Sequence, residues 1–340
     1  CEGGTDFFKG HPTLYSKVYD NWHKNLFRDK LIDTDVKTPE PYRVWEYYNQ
    51  KCSLSQAFDI EINGKGIRKL PKPTIQLTKE ETVNGKFIVE EVRLKTGKRK
   101  TVVFQPFGRG VQTAGNIIGD SSGRSFELQN VISLIKRLQK KYSVIVMAEI
   151  GIDFEKEGVR DIVSFPAANN VPARAWASII NEADLFLGCD SMGQHLAYSS
   201  DTPAVTVMGS TYGINVSYPE EEKFDVLDMG EGKRIYDPIR ITMDEESARA
   251  NDGIMMMNDK IEEVIMKSVD KLMNKYYQKP LTQIVLPQEW LGEQGCPVDS
   301  KPAAKKPKVT PFELEVSNND VTIPALEPTK KGFSQNSKII

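Results

Sequence analysis

Between residues 101 and 211 short apolar runs alternate with amphipathic stripes. Residues 101–105 (TVVFQ), 143–147 (SVIVM), 184–189 (DLFLGC) and 204–208 (AVTVM) are runs of strand length, and 162–165 (IVSF) is a shorter one. Leu128, Val131, Ile132, Ile135 and Leu138 repeat with helical spacing, and Trp176, Ile179 and Ile180 mark a second helix over 174–183. Strands alternating with helices predict a parallel sheet with right-handed crossovers. Such sheets take ligands beyond the carboxyl ends of their strands. Here those ends are polar and rich in glycine: residues 105–110, 149–154, 190–195 and 209–213.

The flanks read differently. In residues 1–70, Gly3-Gly4 and Gly10-His11-Pro12 mark turns, and residues 17–20 (KVYD) read as a short strand. Val44, Trp45, Tyr48 and Cys52 space a helix over 41–56. Residues 74–78 (TIQLT) alternate with period two, and Asn84-Gly85 before Phe87-Ile88-Val89 predicts a hairpin. Residues 214–257 show no clear period. Asn258 or Asp259 caps a last helix, whose apolar face is Ile261, Val264, Ile265, Val269, Leu272 and Tyr276 and which stops at Lys279-Pro280. Beyond about residue 290, Pro, Lys, Ser and Asn predominate, as in a disordered tail. The expected organisation is a partial N-terminal α/β domain over 1–80, a linker or hairpin over 81–100, a parallel α/β ligand-binding domain over 101–290 and a tail over 291–340.

Composition narrows the function. The 340 residues carry a net charge of −2, which argues against a general nucleic-acid binder. No run of about 18 apolar residues occurs, so no transmembrane helix is expected. The four cysteines are scattered and there are three histidines, so no metal site is expected, and the thiols read as reduced and cytoplasmic. The basic turn 96–100 and Lys305-Lys306-Pro307-Lys308 read as solvated charge. The chain opens on Cys1 without a signal peptide, and an upstream part is expected.

The densest polar cluster is Asp190-Ser191-Met192-Gly193-Gln194-His195, between an apolar strand and a helix start. The free N–H groups and dipole of a helix N-terminus favour an anion such as a diphosphate, and Gly193 lets a ligand approach the backbone. His195 lies one turn into the helix on the same rim. Arg124, just before the next amphipathic helix, is placed to clamp phosphate in bidentate fashion, with Arg109 competing for the role. The plainer reading makes Ser191 an N-cap, Asp190 an Asx turn and His195 a half-buried ring.

These residues carry a family resemblance. Residues 188–197 (GCDSMGQHLA) resemble the Asp-Ser/Thr-Gly-x-x-His-Leu-Ala segment of the heptosyltransferase-like glycosyltransferases, glycosyltransferase family 9. Residues 202–211 (TPAVTVMGST) look like that family's following strand, and 104–108 (FQPFG) are similar to an earlier strand end. Arg124-Ser125-Phe126 stand where the family has Lys or Arg before a Trp-Pro pair, and Gly10-His11-Pro12 with Lys17-Val18-Tyr19 look like a segment late in its first domain. The resemblance covers 101–211 most closely and 1–80 more loosely. It implies a GT-B-like α/β fold whose Rossmann-type C-terminal domain binds a nucleotide diphosphate sugar as substrate, with no other cofactor. Donor contacts would come from Arg124, Ser125, Asp190, Ser191, Gly193, Gln194, His195, Gly209, Ser210 and Thr211, and backbone near Val171 would face the base. The reaction would be metal-independent transfer of a heptose-like sugar to a glycan or lipopolysaccharide-type acceptor, with peripheral membrane contact through a glycolipid. Two departures stand out. Met192 replaces the motif's glycine, which shifts to Gly193. The family's carboxylate base, in a Gly-Asp pair, is expected before Cys1, so no catalytic base is assigned; Glu2 and Asp6 match no motif. The alternative is a non-catalytic nucleotide-sugar-binding module. A dinucleotide-dependent dehydrogenase is disfavoured, because no strand is followed by Gly-x-Gly-x-x-Gly.

Overall fold

The computed structural model describes residues 5–108, 110–114, 117–120, 122–148, 150–160, 163–166, 173–234 and 253–277. The chain divides into two compact units, Cys1–Pro280 and Leu281–Ile340, and every described residue belongs to the first. The expected tail, residues 301–308 with their lysines, and the stop at Lys279-Pro280 lie outside the described residues.

The apolar runs form the parallel sheet that their pattern predicts. Its strands are β1 (Thr101–Gln105), β4 (Ser143–Ala148), β5 (Val163–Pro166), β6 (Leu185–Cys189), β7 (Ala204–Met208) and β8 (Phe224–Asp228); β2 (Val111–Ala114) and β3 (Ile117–Asp120) pair separately as an antiparallel hairpin. The six parallel strands lie in the order β5-β4-β1-β6-β7-β8. Strand order reverses between β1 and β6, which are direct neighbours paired from Val102↔Leu185 to Gln105↔Gly188. That is the doubly wound arrangement, whose ligand crevice opens at the reversal.

Helices cover both faces. Leu128–Leu138 (α4) and Asp259–Tyr276 (α8) pack on one face against Val102, Phe104, Val144, Val146, Leu185 and Leu187. Lys79–Thr96 (α3), Ala173–Glu182 (α5) and Met192–Ser199 (α6) cover Val103, Ile145, Met147 and Phe186 on the other. Burial of both faces explains why the strands read as continuous apolar runs. Asn258 caps α8 as expected, accepting from the Ile261 N–H at 3.1 Å.

The N-terminal expectations need correction. Residues 17–20 and 74–78 belong to no strand, and the helix expected over 41–56 is two pieces, α1 (Trp45–Tyr48) and α2 (Leu54–Asn63). A capping box of Ser53 and Gln56 starts α2. The hairpin expected over 81–100 is the 18-residue helix α3. Its start was written in Thr78 and Glu81: the Thr78 N–H donates to Glu81 Oε2 (2.7 Å) and the Glu81 N–H to Thr78 Oγ1 (3.2 Å). Gly85 serves helix packing rather than a turn. A Cβ there would lie 2.5 Å from the Ser178 carbonyl oxygen, so glycine lets α3 and α5 meet backbone to backbone.

Arg174 of α5 ties these pieces together. Its guanidinium is buried and donates to both Glu81 oxygens (2.6 and 2.7 Å) and to the carbonyls of Gln76 (2.6 Å) and Asp6 (3.0 Å). The Arg174 hydrogen bonds hold the Glu81 carboxyl at about 2, against an ordinary 4.5, with desolvation opposing.

Two predictions follow from this packing. Ala for Gly in a helix interior ordinarily stabilises by about 1 kcal/mol. Gly85→Ala is expected to destabilise instead, by about 1–3 kcal/mol, because the added methyl forces α3 off α5; denaturant titration reads the sign. The depressed Glu81 pKa means that the folded state binds fewer protons. Its stabilisation, about 3 kcal/mol at most, is present above pH 4.5 and is lost as pH falls towards 2. Glu81→Gln is therefore expected to unfold at lower denaturant at neutral pH and to lose less stability than wild type across that acid range.

Candidate functional site

The crevice at the strand reversal is built from the β1–α4 connection and the β6–α6 turn. One side chain joins them. Gln105, the last residue of β1, is buried, and its Oε1 accepts the Gly193 N–H at 2.8 Å while its Nε2 donates to Ser191 Oγ (3.2 Å) and more weakly to the Phe107 carbonyl (3.4 Å). Gln105 thus supplies the N-terminal cap of α6. Ser191 occupies the N-cap position but makes no capping bond of its own, which corrects that part of the plain reading.

Gly193 also has a different reason from the one expected. A Cβ there would strike Gln105 Oε1 and sit 2.5 Å from the Phe186 ring. Glycine is required by the fit of α6 on β1 and β6, and the Gly193 N–H is already taken by Gln105 rather than presented to a ligand.

Asp190, Gln194 and Arg124 form a chain across the crevice. Gln194 Nε2 donates to Asp190 Oδ1 at 2.8 Å, and Arg124 Nη1 lies 3.9 Å from Asp190 Oδ2. This arrangement makes Asp190 the holder of two donor-bearing side chains. Gln194 Oε1 is buried without a partner. Arg124 Nε donates to Ser122 Oγ at 3.1 Å, while Nη1 stands at ion-pair rather than hydrogen-bond distance from Asp190.

The loop carrying Arg124 is tied down from below. Asp120, ending β3, accepts from the Ser122 N–H (2.8 Å), the Ser122 hydroxyl and the Ser125 hydroxyl, and Ser125 Oγ in turn accepts the Gly108 N–H at 2.9 Å. Ser210 is buried, its hydroxyl donating to the Ser122 carbonyl (2.5 Å) and its N–H to the Gly123 carbonyl (3.1 Å). Thr211 is buried near Met208 Sδ. The Gly209 carbonyl accepts from Arg234 Nε at 2.9 Å, and that guanidinium lies over the Tyr212 ring. Ser210 thus ties the loop to the end of β7, and at Gly209 a Cβ would strike the Gly123 carbonyl oxygen of the same loop.

His195 stands on the outer side of the turn. Its ring is solvent-exposed. Desolvation lowers its pKa below the ordinary imidazole value, and the charge of Asp190 opposes that shift. Its Nδ1 is 2.7 Å from the Tyr218 hydroxyl. Burial pushes the Cys189 thiol far above its usual range, which keeps it protonated under the turn.

The structure therefore brings Arg124, Asp190 and Gln194 together at the strand reversal, with Ser125 and Ser191 in the adjoining hydrogen bonds and His195 near enough for the Asp190 charge to act on its ring. Arg109, Glu149 and Val171 lie outside the described residues. Gln105 and Tyr218 carried no role in the sequence reading. Gln105 could have been found as the one polar residue closing an apolar strand at the reversal, whereas Tyr218 lies in a segment without period. Among the described residues no group of three or more His, Cys, Asp or Glu side chains is placed to hold a metal ion, and no helix is long and apolar enough to cross a membrane.

No family model matches the chain, and no curated protein matches it. Solved structures do. The chain is similar to the E. coli ADP-heptose lipopolysaccharide heptosyltransferase II (12% identity, TM-score 0.41, 66% of this chain and 62% of that one). It is similar to a family 9 glycosyl transferase from Veillonella parvula (12% identity, TM-score 0.47, 74% and 65%) and to the E. coli heptosyltransferase WaaC with ADP (12%, 0.34, 65% and 56%). These are heptosyltransferases and a family 9 enzyme, the group that the sequence resembles. The chain spans less than two thirds of the length of each. At such identity and TM-scores the likeness assigns no activity, which has to be argued from the site.

If Gln105 is the tie across the reversal, Gln105→Ala should leave the Gly193 N–H unpaired and cost about 1–3 kcal/mol. Denaturant unfolding would show the loss. A variant as stable as wild type would mean that the tie contributes nothing.

Proposed function

We propose that this chain binds a nucleotide diphosphate sugar in the crevice between β1 and β6 and belongs to a glycosyltransferase of the heptosyltransferase-like group, with a GT-B fold. The observation that carries the reading is that Asp190, at the strand reversal and in the segment where the family motif is matched, lies 3.9 Å from Arg124 Nη1 and close enough to His195 for its charge to act on that ring. Arg124 retains guanidinium donors for a phosphate oxygen and is aimed by Asp190. His195 offers its free Nε2 edge to a phosphate or sugar oxygen. Asp190 itself would repel a diphosphate, so its part is to orient Arg124 and Gln194. Positive and N–H groups fixed before the ligand arrives are what a departing diphosphate needs as its charge develops. On this reading a heptose-like sugar passes to a glycan or glycolipid acceptor without a metal, in a cytoplasmic protein that meets the membrane only at its surface.

A second reading, binding without transfer, is favoured by one observation. Among the described residues the carboxylates of the crevice are engaged: Asp120 accepts from Ser122 and Ser125, and Asp190 from Gln194. Neither is free to act as the base for an acceptor hydroxyl.

Calorimetry with ADP-, GDP-, UDP- and TDP-linked sugars tests the binding claim. One donor is expected to bind, and Arg124→Ala and His195→Ala are each expected to weaken it about tenfold, the loss of about 1.4 kcal/mol per contact. Unchanged affinity in both variants would sink the site. Release of free nucleoside diphosphate on adding acceptor separates the enzyme from the binding module.

A further inference from the structure

We propose that Tyr218 is a positioning residue for His195, fixing its ring and tautomer so that Nε2–H points into the crevice as a hydrogen-bond donor. The use of that donor for a diphosphate oxygen rests on the function proposed above; the positioning itself does not.

Tyr218 follows the short helix α7 (Gly213–Val216), and its neighbour Ser217 is buried, with its hydroxyl 3.2 Å from that of Thr206 on β7. The Tyr218 ring is held by aromatic rings on two sides. It stacks on Tyr198 of α6 at 3.7 Å and 22°, and meets Phe224 of β8 edge-on at 5.1 Å. Tyr198 and Phe224 also meet edge-on at 5.7 Å, so the three rings brace one another. His195 stands perpendicular to Tyr218 at 86°, with Nδ1 2.7 Å from its hydroxyl. A braced phenol thus reaches a single ring nitrogen of an exposed histidine.

The direction of the proton follows from acidity. A phenol is a far stronger acid than a neutral imidazole N–H, so the favourable arrangement is O–H donating to Nδ1. Burial beside Tyr198 raises the Tyr218 pKa, which keeps the phenol protonated. With Nδ1 accepting, the neutral ring must carry its hydrogen on Nε2. Desolvation favours that neutral ring, against the opposing charge of Asp190. His195 then donates toward an anion without itself being charged. The Tyr198 hydroxyl does not compete, since it donates to Glu221 at 3.0 Å.

Tyr218→Phe removes the hydroxyl and keeps the stack. With only three histidines in the chain, nitrogen-15 shifts of the rings can be assigned by comparison with His195→Ala. At a pH where the ring is neutral, wild type is expected to show His195 Nδ1 as an unprotonated acceptor and Nε2 as protonated. Tyr218→Phe is expected to shift both signals towards a mixture of tautomers with its melting temperature near wild type. A wild-type His195 protonated on Nδ1, or a spectrum unchanged by Tyr218→Phe, overturns the positioning. The second arm uses ADP and UDP as probes. Affinity in Tyr218→Phe is expected to fall about threefold to tenfold towards that of His195→Ala, and equal affinity in wild type and Tyr218→Phe overturns the role in binding. If wild type binds neither probe, the role of the donor in binding falls with the proposed function, and the tautomer measurement still decides the positioning.

Discussion

The buried amide of Gln105 spans the place where the sheet changes direction. Its oxygen takes a helix N–H and its nitrogen reaches the hydroxyl of Ser191, so the ends of β1 and β6 cannot separate without leaving polar groups unpaired in the interior. The rest of the crevice inherits its position from this tie. Gly193 must be glycine because the amide and Phe186 fill the space where a side chain would begin. Asp190 leaves β6 at a fixed height, and from there it draws in Gln194 and Arg124.

A second layer of polar bonds makes the facing loop equally definite. Asp120 gathers Ser122 and Ser125, Ser125 receives Gly108, and Ser210 ties the same loop to β7. Arg124 is therefore carried by a loop bonded at its base to three strand ends. Farther off, Arg174 binds the N-terminal residues to α3 and α5, and Asn215 donates to the carbonyls of Tyr47 and Cys52. These contacts tie the segments around Asp6, Tyr47, Cys52 and Glu81 to the helices α5 and α7 beside the sheet.

Local pattern revealed the sheet because both of its faces are buried, so strands such as 143–147 are apolar throughout. It missed β8, whose alternating FDVLD is only partly covered. It misread α3 because Asn84-Gly85 has the composition of a turn, while the reason for the glycine is a contact with Ser178, 93 residues away. The candidate site divides in the same way. The cluster 190–195 and Arg124 stood out by residue type and by resemblance. Their division of labour did not, because it depends on side chains from other elements: Gln105 rather than Ser191 caps α6, Ser210 bonds the loop that carries Arg124, and Tyr218 meets His195 from a segment without period. Long-range partners of this kind leave no spacing in the sequence.

The central claim is that a nucleotide diphosphate sugar occupies the crevice at the strand reversal. Amide hydrogen exchange read by mass spectrometry, with and without a saturating donor sugar, tests it most directly. The account predicts slowed exchange confined to peptides covering 106–126 and 190–198. Donor-induced protection elsewhere with these peptides unchanged, or no protection by any donor, would contradict it.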